Sequence, residues 1–288
     1  MSKLLYYLII KPLSLLPLPV LYQLSNVIYW VLYKLIGYRK KVVFSNLRNS
    51  FPEKSEKEIK QIADKFYSHL CDIVVESISI FSITEKEVVK RCKIINPEVA
   101  DAYFEKGQSI IIAAGHYVTY EYAAVSLGAQ MKHNAYGLMT TLTDKFFNKK
   151  MVNSRSAFGT GMIVPKHTKE FFEENKDKLT AVAFIGDQSP GSNKGKYYWT
   201  TFLNQETPVM LGSEKYAKMY DMPVLFYRQR RVKRGYYTAE FIPLFDNPRE
   251  TAEFEITEAH TRMVESMILE EPAYWLWSHK RWKHSRPV

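Results

Sequence analysis

The sequence predicts an α/β fold, with a mixed, mainly parallel sheet flanked by helices and an apolar helical membrane anchor at the N-terminus. Two observations predict this fold. From about residue 109 onwards, short apolar runs rich in β-branched residues alternate with segments of helical periodicity. The residues before Gly37 are strongly apolar, and their only charged side chains are Lys3, Lys11 and Lys34. We therefore divide the chain into an anchor, residues 1–37, and an α/β domain, residues 38–288.

The anchor contains two apolar runs, residues 4–10 and 20–36, with three prolines between them. The second run reaches the lower edge of the ~17–25 residues that a helix needs to span a bilayer, although polar residues interrupt it. The basic cluster at residues 39–41 is typical of a cytoplasmic flank. The pattern predicts a membrane anchor that either spans the bilayer or lies at its interface. The alternative is a hydrophobic helical hairpin packed on the globular body.

The elements of the domain follow in order along the chain. A helix is predicted to begin at Ser55, because Glu58 three residues later completes a capping box. The last two predicted strands are separated by a turn near Gly235, which indicates a hairpin. Strands are predicted at 109–114, 136–141, 162–165, 179–185, 223–230 and 237–244, and helices at 118–127, 145–157, 169–175, 212–220 and 254–269.

Charge and cysteine content restrict the class of partner. A net charge of +10 favours nucleic acid, anionic lipid or an acidic partner, and no nucleic-acid-binding motif accompanies it. Cys71 and Cys92 lack metal-ligand spacing, so we expect two buried thiols rather than a zinc site or a disulfide. We expect neither a metal nor a cofactor, because the chain has no H-E-x-x-H motif and no phosphate-binding glycine loop.

A histidine and a glutamate follow the first predicted strand. The sequence reads G-H-Y-V-T-Y-E over residues 115–121, which places His116 in a turn and Glu121 in the first turn of a helix. We predict that the Glu121 carboxylate orients the His116 imidazole, which makes a general base able to take a proton from an alcohol. Asp187 follows another strand, so His116 and Asp187 are expected at the same edge of the sheet if the two strands are parallel.

Five sequence blocks resemble those of the lipid A biosynthesis (late, or secondary) acyltransferases, a branch of the lysophospholipid and glycerophosphate acyltransferase superfamily. The first is H-x-x-x-x-E itself. The others are N-L-R-N-S-F-P over 46–52, D-Q-S-P over 187–190, F-L-N-Q-E-T-P over 202–208 and P-A-Y-W-L-W-S-H-K-R-W-K over 272–283. The resemblance extends over nearly the whole chain, in the order that the family shows.

This resemblance implies transfer of a fatty acyl group from an acyl carrier protein thioester to a hydroxyl of a lipid A precursor. Coenzyme A is the less favoured donor. His116 and Glu121 take the catalytic positions, whereas Arg155, Asp187 and Asn46 take positions that bind the substrate. The expected location is the bacterial inner membrane, with the active site on the cytoplasmic side. The acidic carrier, the lipid and the membrane surface are the expected partners.

Other functions remain open from the sequence. The common H-F-G-N-W-E is H-Y-V-T-Y-E here and F-F-G is F-L-N, so the acceptor can be another amphiphile such as an aminolipid, a glycolipid or a lysophospholipid. A non-catalytic membrane-associated scaffold with the same fold is the alternative from another class. The aromatic residues of the C-terminal block are expected to pack into the core, with Lys280, Arg281 and Lys283 facing lipid phosphate.

Overall fold

A computed structural model describes residues 2–191 and 195–286, which form a seven-stranded sheet and a separate two-stranded sheet. The order of the larger sheet is β1-β9-β8-β2-β5-β3-β4, and β6 pairs with β7. The strands are β1 (Cys92–Ile94), β2 (Ile110–Ala114), β3 (Asn134–Leu138), β4 (Gly161–Ile163), β5 (Thr180–Ile185), β6 (Tyr198–Phe202), β7 (Gln205–Val209), β8 (Val224–Lys233) and β9 (Tyr236–Phe245).

The larger sheet is mixed and mainly parallel, as predicted. Only β8 and β9 are antiparallel, and Gly235 joins them with φ at 73°, a conformation that favours glycine. The other pairs in this sheet are parallel. The central pair sets the site, because β2 lies beside β5 with Ala114 opposite Ile185. The carboxyl ends of these two strands therefore meet at one edge.

Helices cover both faces of the sheet. The predicted capping box is confirmed, because the Ser55 backbone N–H donates to Glu58 while the Glu58 backbone N–H donates to the Ser55 hydroxyl. The helices are α1 (Ser2–Ser14), α2 (Leu18–Ile36), α3 (Lys40–Ser50), α4 (Glu56–Ser79), α5 (Glu85–Arg91), α6 (Pro97–Glu105), α7 (Tyr120–Ser126), α8 (Lys145–Arg155), α9 (Thr168–Glu174), α10 (Gly212–Tyr220) and α11 (Glu255–Glu270).

The core has two layers because every residue of β2 is buried and its side chains alternate between the two faces. Ile111 and Ala113 pack in the larger cluster, on the face that α10 and α11 cover. Ile110 and Ile112 pack in the smaller cluster, under α6. A strand buried on both faces reads as a continuous apolar run, which is how the sequence identified β2. Both cysteines are free and buried, as predicted.

The N-terminal segment is a bent pair of helices. The helix axis bends by 120° between α1 and α2. Neither helix is by itself long and apolar enough to cross a membrane, although the pair together passes that test of length and composition. One side of the pair packs on α4 through the buried side chains of Leu21, Tyr22 and Tyr33. One side of the helix pair therefore packs on the body, as the hairpin alternative predicted. Anchoring of this segment in a membrane stays a prediction.

Candidate active site

The imidazole of His116 is paired with Asp187. The Nδ1 atom lies 2.7 Å from Oδ1 of Asp187, and the His116 backbone N–H donates to Oδ2 at 2.9 Å. Each residue lies two positions beyond the end of its strand, β2 or β5, so the parallel pairing of the strands brings them together. The prediction that they share one edge of the sheet is confirmed. Because an ionised carboxylate only accepts hydrogen bonds, Nδ1 carries the proton.

Asp187 is held as a carboxylate. It is buried, and the indole N–H of Trp275 donates to Oδ2 at 2.7 Å. Burial raises the pKa of Asp187, but the facing His116 and the hydrogen bonds from His116 and Trp275 outweigh this and lower the pKa to about 2. Asp187 is therefore ionised at neutral pH, and it keeps the Nδ1–H tautomer in place.

Glu121 forms no hydrogen bond with His116 among the described residues, and the predicted pairing of these two residues is wrong. The Glu121 carboxylate is buried and forms a two-pronged ion pair with Arg155, with Nη2 to Oε1 at 2.6 Å and Nε to Oε2 at 3.0 Å. Among the residues that the structure describes, no ion pair joins His116 to Glu121. Glu121 lies in the first turn of α7, as predicted, but Asp187 already occupies Nδ1 of His116. Arg155 on α8 takes the carboxylate.

The loop between β2 and α7 is held in a strained conformation. Val118 has φ at 54°, which is unusual for a β-branched residue. Its backbone N–H donates to the carbonyl of Tyr274 at 3.0 Å, and its own carbonyl lies 3.0 Å from Nε2 of His69. The Tyr117 hydroxyl donates to the Met267 carbonyl at 2.9 Å. Backbone strain of this kind persists only where the surroundings fix it, and such positions are concentrated at functional sites.

Two adjoining cavities open beside this pair, and both are lined by His116 and Arg155. The larger has a volume of about 820 Å³, and its walls combine apolar side chains with the polar Gln188 and Ser189. The smaller, of about 150 Å³, is mostly apolar. Further walls of the larger cavity are Phe147, Met151, Phe184 and Tyr216, and those of the smaller are Ile112, Ala123, Gly137, Met162 and Tyr227.

Of the predicted substrate-binding residues, Arg155 lines both cavities and Asn46 lines neither. The Asn46 amide is buried outside both cavities, and its Nδ2 donates to the backbone carbonyls of Trp277 at 2.9 Å and His279 at 3.0 Å. Its two hydrogens are thus used on the C-terminal segment. Asn46 has a structural partner here, and the geometry gives no support to the prediction that it binds the substrate.

The C-terminal segment contacts the site through Trp275 and His279, which the sequence did not predict. Trp275 and Trp277 are buried and pack edge to face, with ring centroids 4.8 Å apart, so the predicted packing of these aromatics is confirmed. Arg281 is buried as well and faces no lipid. His279 accepts a hydrogen bond at Nε2 from the backbone N–H of Ser189, and burial lowers the pKa of His279 to about 4. The available signals were the family-like block over 272–283 and its closely spaced tryptophans.

The amino-acid sequence is similar to known bacterial acyltransferases. A sequence model described as the bacterial lipid A biosynthesis acyltransferase family matches residues 2–284. The chain is 22% identical over 275 residues to the lipid A biosynthesis lauroyltransferase of Escherichia coli (strain K12), an alignment that covers 94% of this chain and 88% of that protein. Since the family match extends over almost the entire chain, this acyltransferase-like protein belongs to the bacterial lipid A biosynthesis acyltransferase family.

Proposed function

We propose that the protein transfers a fatty acyl group from an acyl carrier protein thioester to a hydroxyl of a lipid A precursor, at the cytoplasmic face of the bacterial inner membrane. The observation that carries this proposal is the His116–Asp187 pair at the wall of two adjoining cavities. Nδ1 donates its hydrogen bond to Asp187, so Nε2 is the ring nitrogen that can accept a proton from the substrate. The His116 side chain is 21% exposed, which leaves it accessible to a substrate.

In this mechanism His116 acts as the general base. Its Nε2 takes the proton of the acceptor hydroxyl while the hydroxyl oxygen attacks the carbonyl carbon of the thioester. A new carbon–oxygen bond forms, the carbon–sulfur bond breaks, and the proton passes from the imidazolium to the leaving thiolate. The Asp187 carboxylate stabilises the imidazolium between these two steps. Transfer is direct, because no serine or cysteine side chain is hydrogen-bonded to the His116 imidazole among the described residues.

Arg155 supplies positive charge in the same place. Its side chain is 20% exposed and lines both cavities, while Glu121 holds the guanidinium from behind. We assign to Arg155 the binding of a phosphate group or of the oxyanion that develops on the thioester carbonyl. Glu121 is then a positioning residue for Arg155. The smaller, apolar cavity suits the hydrocarbon chain of the donor, and the larger suits the amphiphilic acceptor.

The test is an assay of the purified protein with acyl carrier protein thioesters of several chain lengths and a lipid A precursor. We expect an acylated lipid that mass spectrometry detects and that the His116→Ala variant does not form. Parallel reactions use acyl-coenzyme A as the donor, and aminolipid, glycolipid and lysophospholipid acceptors. A product with one of these acceptors and none with the lipid A precursor would contradict the proposed substrate, as would the absence of any product.

An acidic donor protein also needs a basic docking surface. We propose the groove of about 290 Å³ between α3 and the C-terminal segment, where Lys41, Lys280 and Lys283 line the walls with Asn46 and Trp282. None of these three lysines has an ion-pair partner within the described residues. Positive charge at the rim of an interface attracts an acidic partner and speeds association.

Charge reversal in this groove is expected to weaken use of the carrier protein. The double variant Lys280→Glu, Lys283→Glu should raise KM for an acyl carrier protein thioester roughly 10-fold at low salt, because it replaces attraction by repulsion. Turnover of a small pantetheine thioester should stay unchanged. The control is Lys106→Glu, because Lys106 lies before β2 at the opposite edge of the sheet. Equal KM values for the control and the double variant would rule the groove out as the docking site.

A further inference from the structure

The bent helix pair α1–α2 has an exposed apolar side. Most of the large hydrophobic side chains that are exposed among the described residues lie within it or next to it, and they include Leu4, Leu8, Leu16, Val27, Trp30 and Ile36. Isolated exposed hydrophobic residues are normal on a soluble protein, but a continuous apolar surface of this kind usually marks a contact with a partner or a membrane.

The opposite side of α2 is fastened to α4 by buried polar groups. The Tyr22 hydroxyl donates to Glu76 at 2.8 Å, and the Ser25 hydroxyl donates to Asp72 at 2.7 Å. Both carboxylates are buried, and Glu76 is 0% exposed. Arg234 from the β8–β9 turn pairs with Asp72 and also donates to the backbone carbonyl of Tyr22 at 3.2 Å. Separating α2 from α4 would leave two buried carboxylates without these partners, which is strongly unfavourable.

The first helix is fastened in the same way. The Lys11 ammonium donates to the Phe81 carbonyl at 2.9 Å and to the Ser82 hydroxyl at 2.7 Å, and Ser14 lies 2.6 Å from the same hydroxyl. Both helices are therefore tied along their length to the body of the protein. An α2 standing upright across a bilayer would carry the polar side of α4 into the hydrocarbon, where charged groups are costly.

Positive charge surrounds the apolar side. No acidic residue precedes Glu53, whereas seven lysines and arginines do. At one end of the pair, Lys3 and Lys150 lie over the ring of Phe146 at 5.9 and 5.5 Å from its centroid. The other end carries the basic cluster of residues 39–41. An apolar face flanked by lysine and arginine is complementary to an anionic lipid surface, whose acyl chains meet the apolar face and whose phosphates meet the cations.

We infer that α1 and α2 lie flat in a single leaflet of an anionic bilayer, with their apolar side in the acyl-chain region and α4 above them. One consequence concerns the larger cavity. The rings of Tyr6 and Tyr7 pack on Phe146 with centroids 5.6 and 5.9 Å apart, and the next residue, Phe147, lines that cavity together with the exposed Leu142. The cavity therefore opens beside the leaflet, and an amphiphilic acceptor enters it sideways without leaving the membrane. This consequence rests on the proposed function, whereas the orientation of the helices does not.

Spin-label depth in reconstituted membranes tests the orientation. Full-length protein with both native cysteines replaced by alanine carries a single label at Val20→Cys or at Ile36→Cys, in vesicles of phosphatidylethanolamine and phosphatidylglycerol. These two exposed positions are 16 residues apart, or roughly 24 Å along a helix at ~1.5 Å per residue. Flat helices place both labels at similar depths, about 5–10 Å below the headgroups, as oxygen and nickel collision rates report.

Two outcomes would overturn the orientation of the helices, and a third would overturn the sideways entry of the acceptor. A depth difference close to the full length of the helix would mean that α2 spans the bilayer. Labels that oxygen does not reach, together with spin coupling between molecules, would mean that a second copy of the chain covers the apolar side. A label at Leu142→Cys as far out in water as the control Lys106→Cys would remove the sideways entry of the acceptor. None of these measurements uses turnover, so an inactive protein with the expected depths would refute only the proposed function.

Discussion

Replacing His116 by alanine is expected to lower turnover by about 10²–10⁴-fold, because it removes the general base that takes the proton from the acceptor hydroxyl. The effect should appear in kcat, since the imidazole acts on the reacting oxygen and not on the parts of the substrate that bind. The measurement is the rate of acylated product formation at saturating acceptor, with equal amounts of wild-type and variant protein in identical vesicles.

The same variant separates an enzyme from a scaffold. The variant leaves the buried Asp187 with the backbone N–H of residue 116 and the Trp275 indole as donors, so we expect a lower melting temperature. Tyr117 and Val118 still fix the loop through other contacts, so we expect the protein to fold. A non-catalytic scaffold would keep its cellular function without the imidazole. Full complementation of a deletion strain by a folded, membrane-bound His116→Ala protein, without lipid acylation, would therefore contradict the proposed enzymatic function. If lipid acylation were restored in that strain, another residue would be the base.

The central strands could be predicted because they are buried on both faces. β2 and β5 are almost entirely apolar runs, and each run is followed by a glycine and then by a polar residue that carries chemistry. Local sequence fixes where such a strand ends, and parallel pairing then brings the two ends together. The common edge of His116 and Asp187 was thus a consequence of strand position alone.

The short edge elements could not be predicted from the same signal. β1 has three residues, too few for any period to appear. β6 and β7 contain three threonines, one glutamine and one glutamate among their ten residues and show no regular apolar alternation. Their turn depends on Leu203 and Asn204, which both have positive φ. Asparagine tolerates that conformation better than most residues, but leucine does not. Asn204 stands where the F-F-G pattern has its glycine, so the turn is made here without glycine.

The choice of carboxylate for His116 depended on distant parts of the chain. Sequence spacing favoured Glu121, which is five residues away, over Asp187, which is 71 residues away. Two facts decided against Glu121. Val118 adopts a positive φ that the C-terminal segment stabilises through Tyr274, and Arg155 satisfies Glu121 from α8. Neither contact can be read from the seven residues of the motif.

Substitution of Asp187 and substitution of Glu121 are therefore expected to change different kinetic constants. Asp187→Asn should lower kcat by roughly 10³–10⁴-fold, because an amide can donate to Nδ1 and so favour the wrong tautomer, and because it cannot stabilise the imidazolium. Glu121→Gln keeps the size and one acceptor for Arg155 but loses the charge. Its expected effect is a higher KM for the phosphorylated acceptor with a smaller loss of kcat, since Arg155 is less firmly held.

Kinetics and nitrogen NMR on the same preparations decide between the two assignments. In the wild type and in Glu121→Gln, we expect the spectrum of His116 to report a proton on Nδ1, whereas in Asp187→Asn that proton should move to Nε2. A merely structural role of Asp187 would lower the melting temperature and leave the tautomer unchanged. The opposite result would be loss of the Nδ1–H tautomer and of most of kcat in Glu121→Gln, with both unchanged in Asp187→Asn. Glu121 would then be the carboxylate that orients His116 during catalysis, and the proposed catalytic pairing of His116 with Asp187 would be wrong.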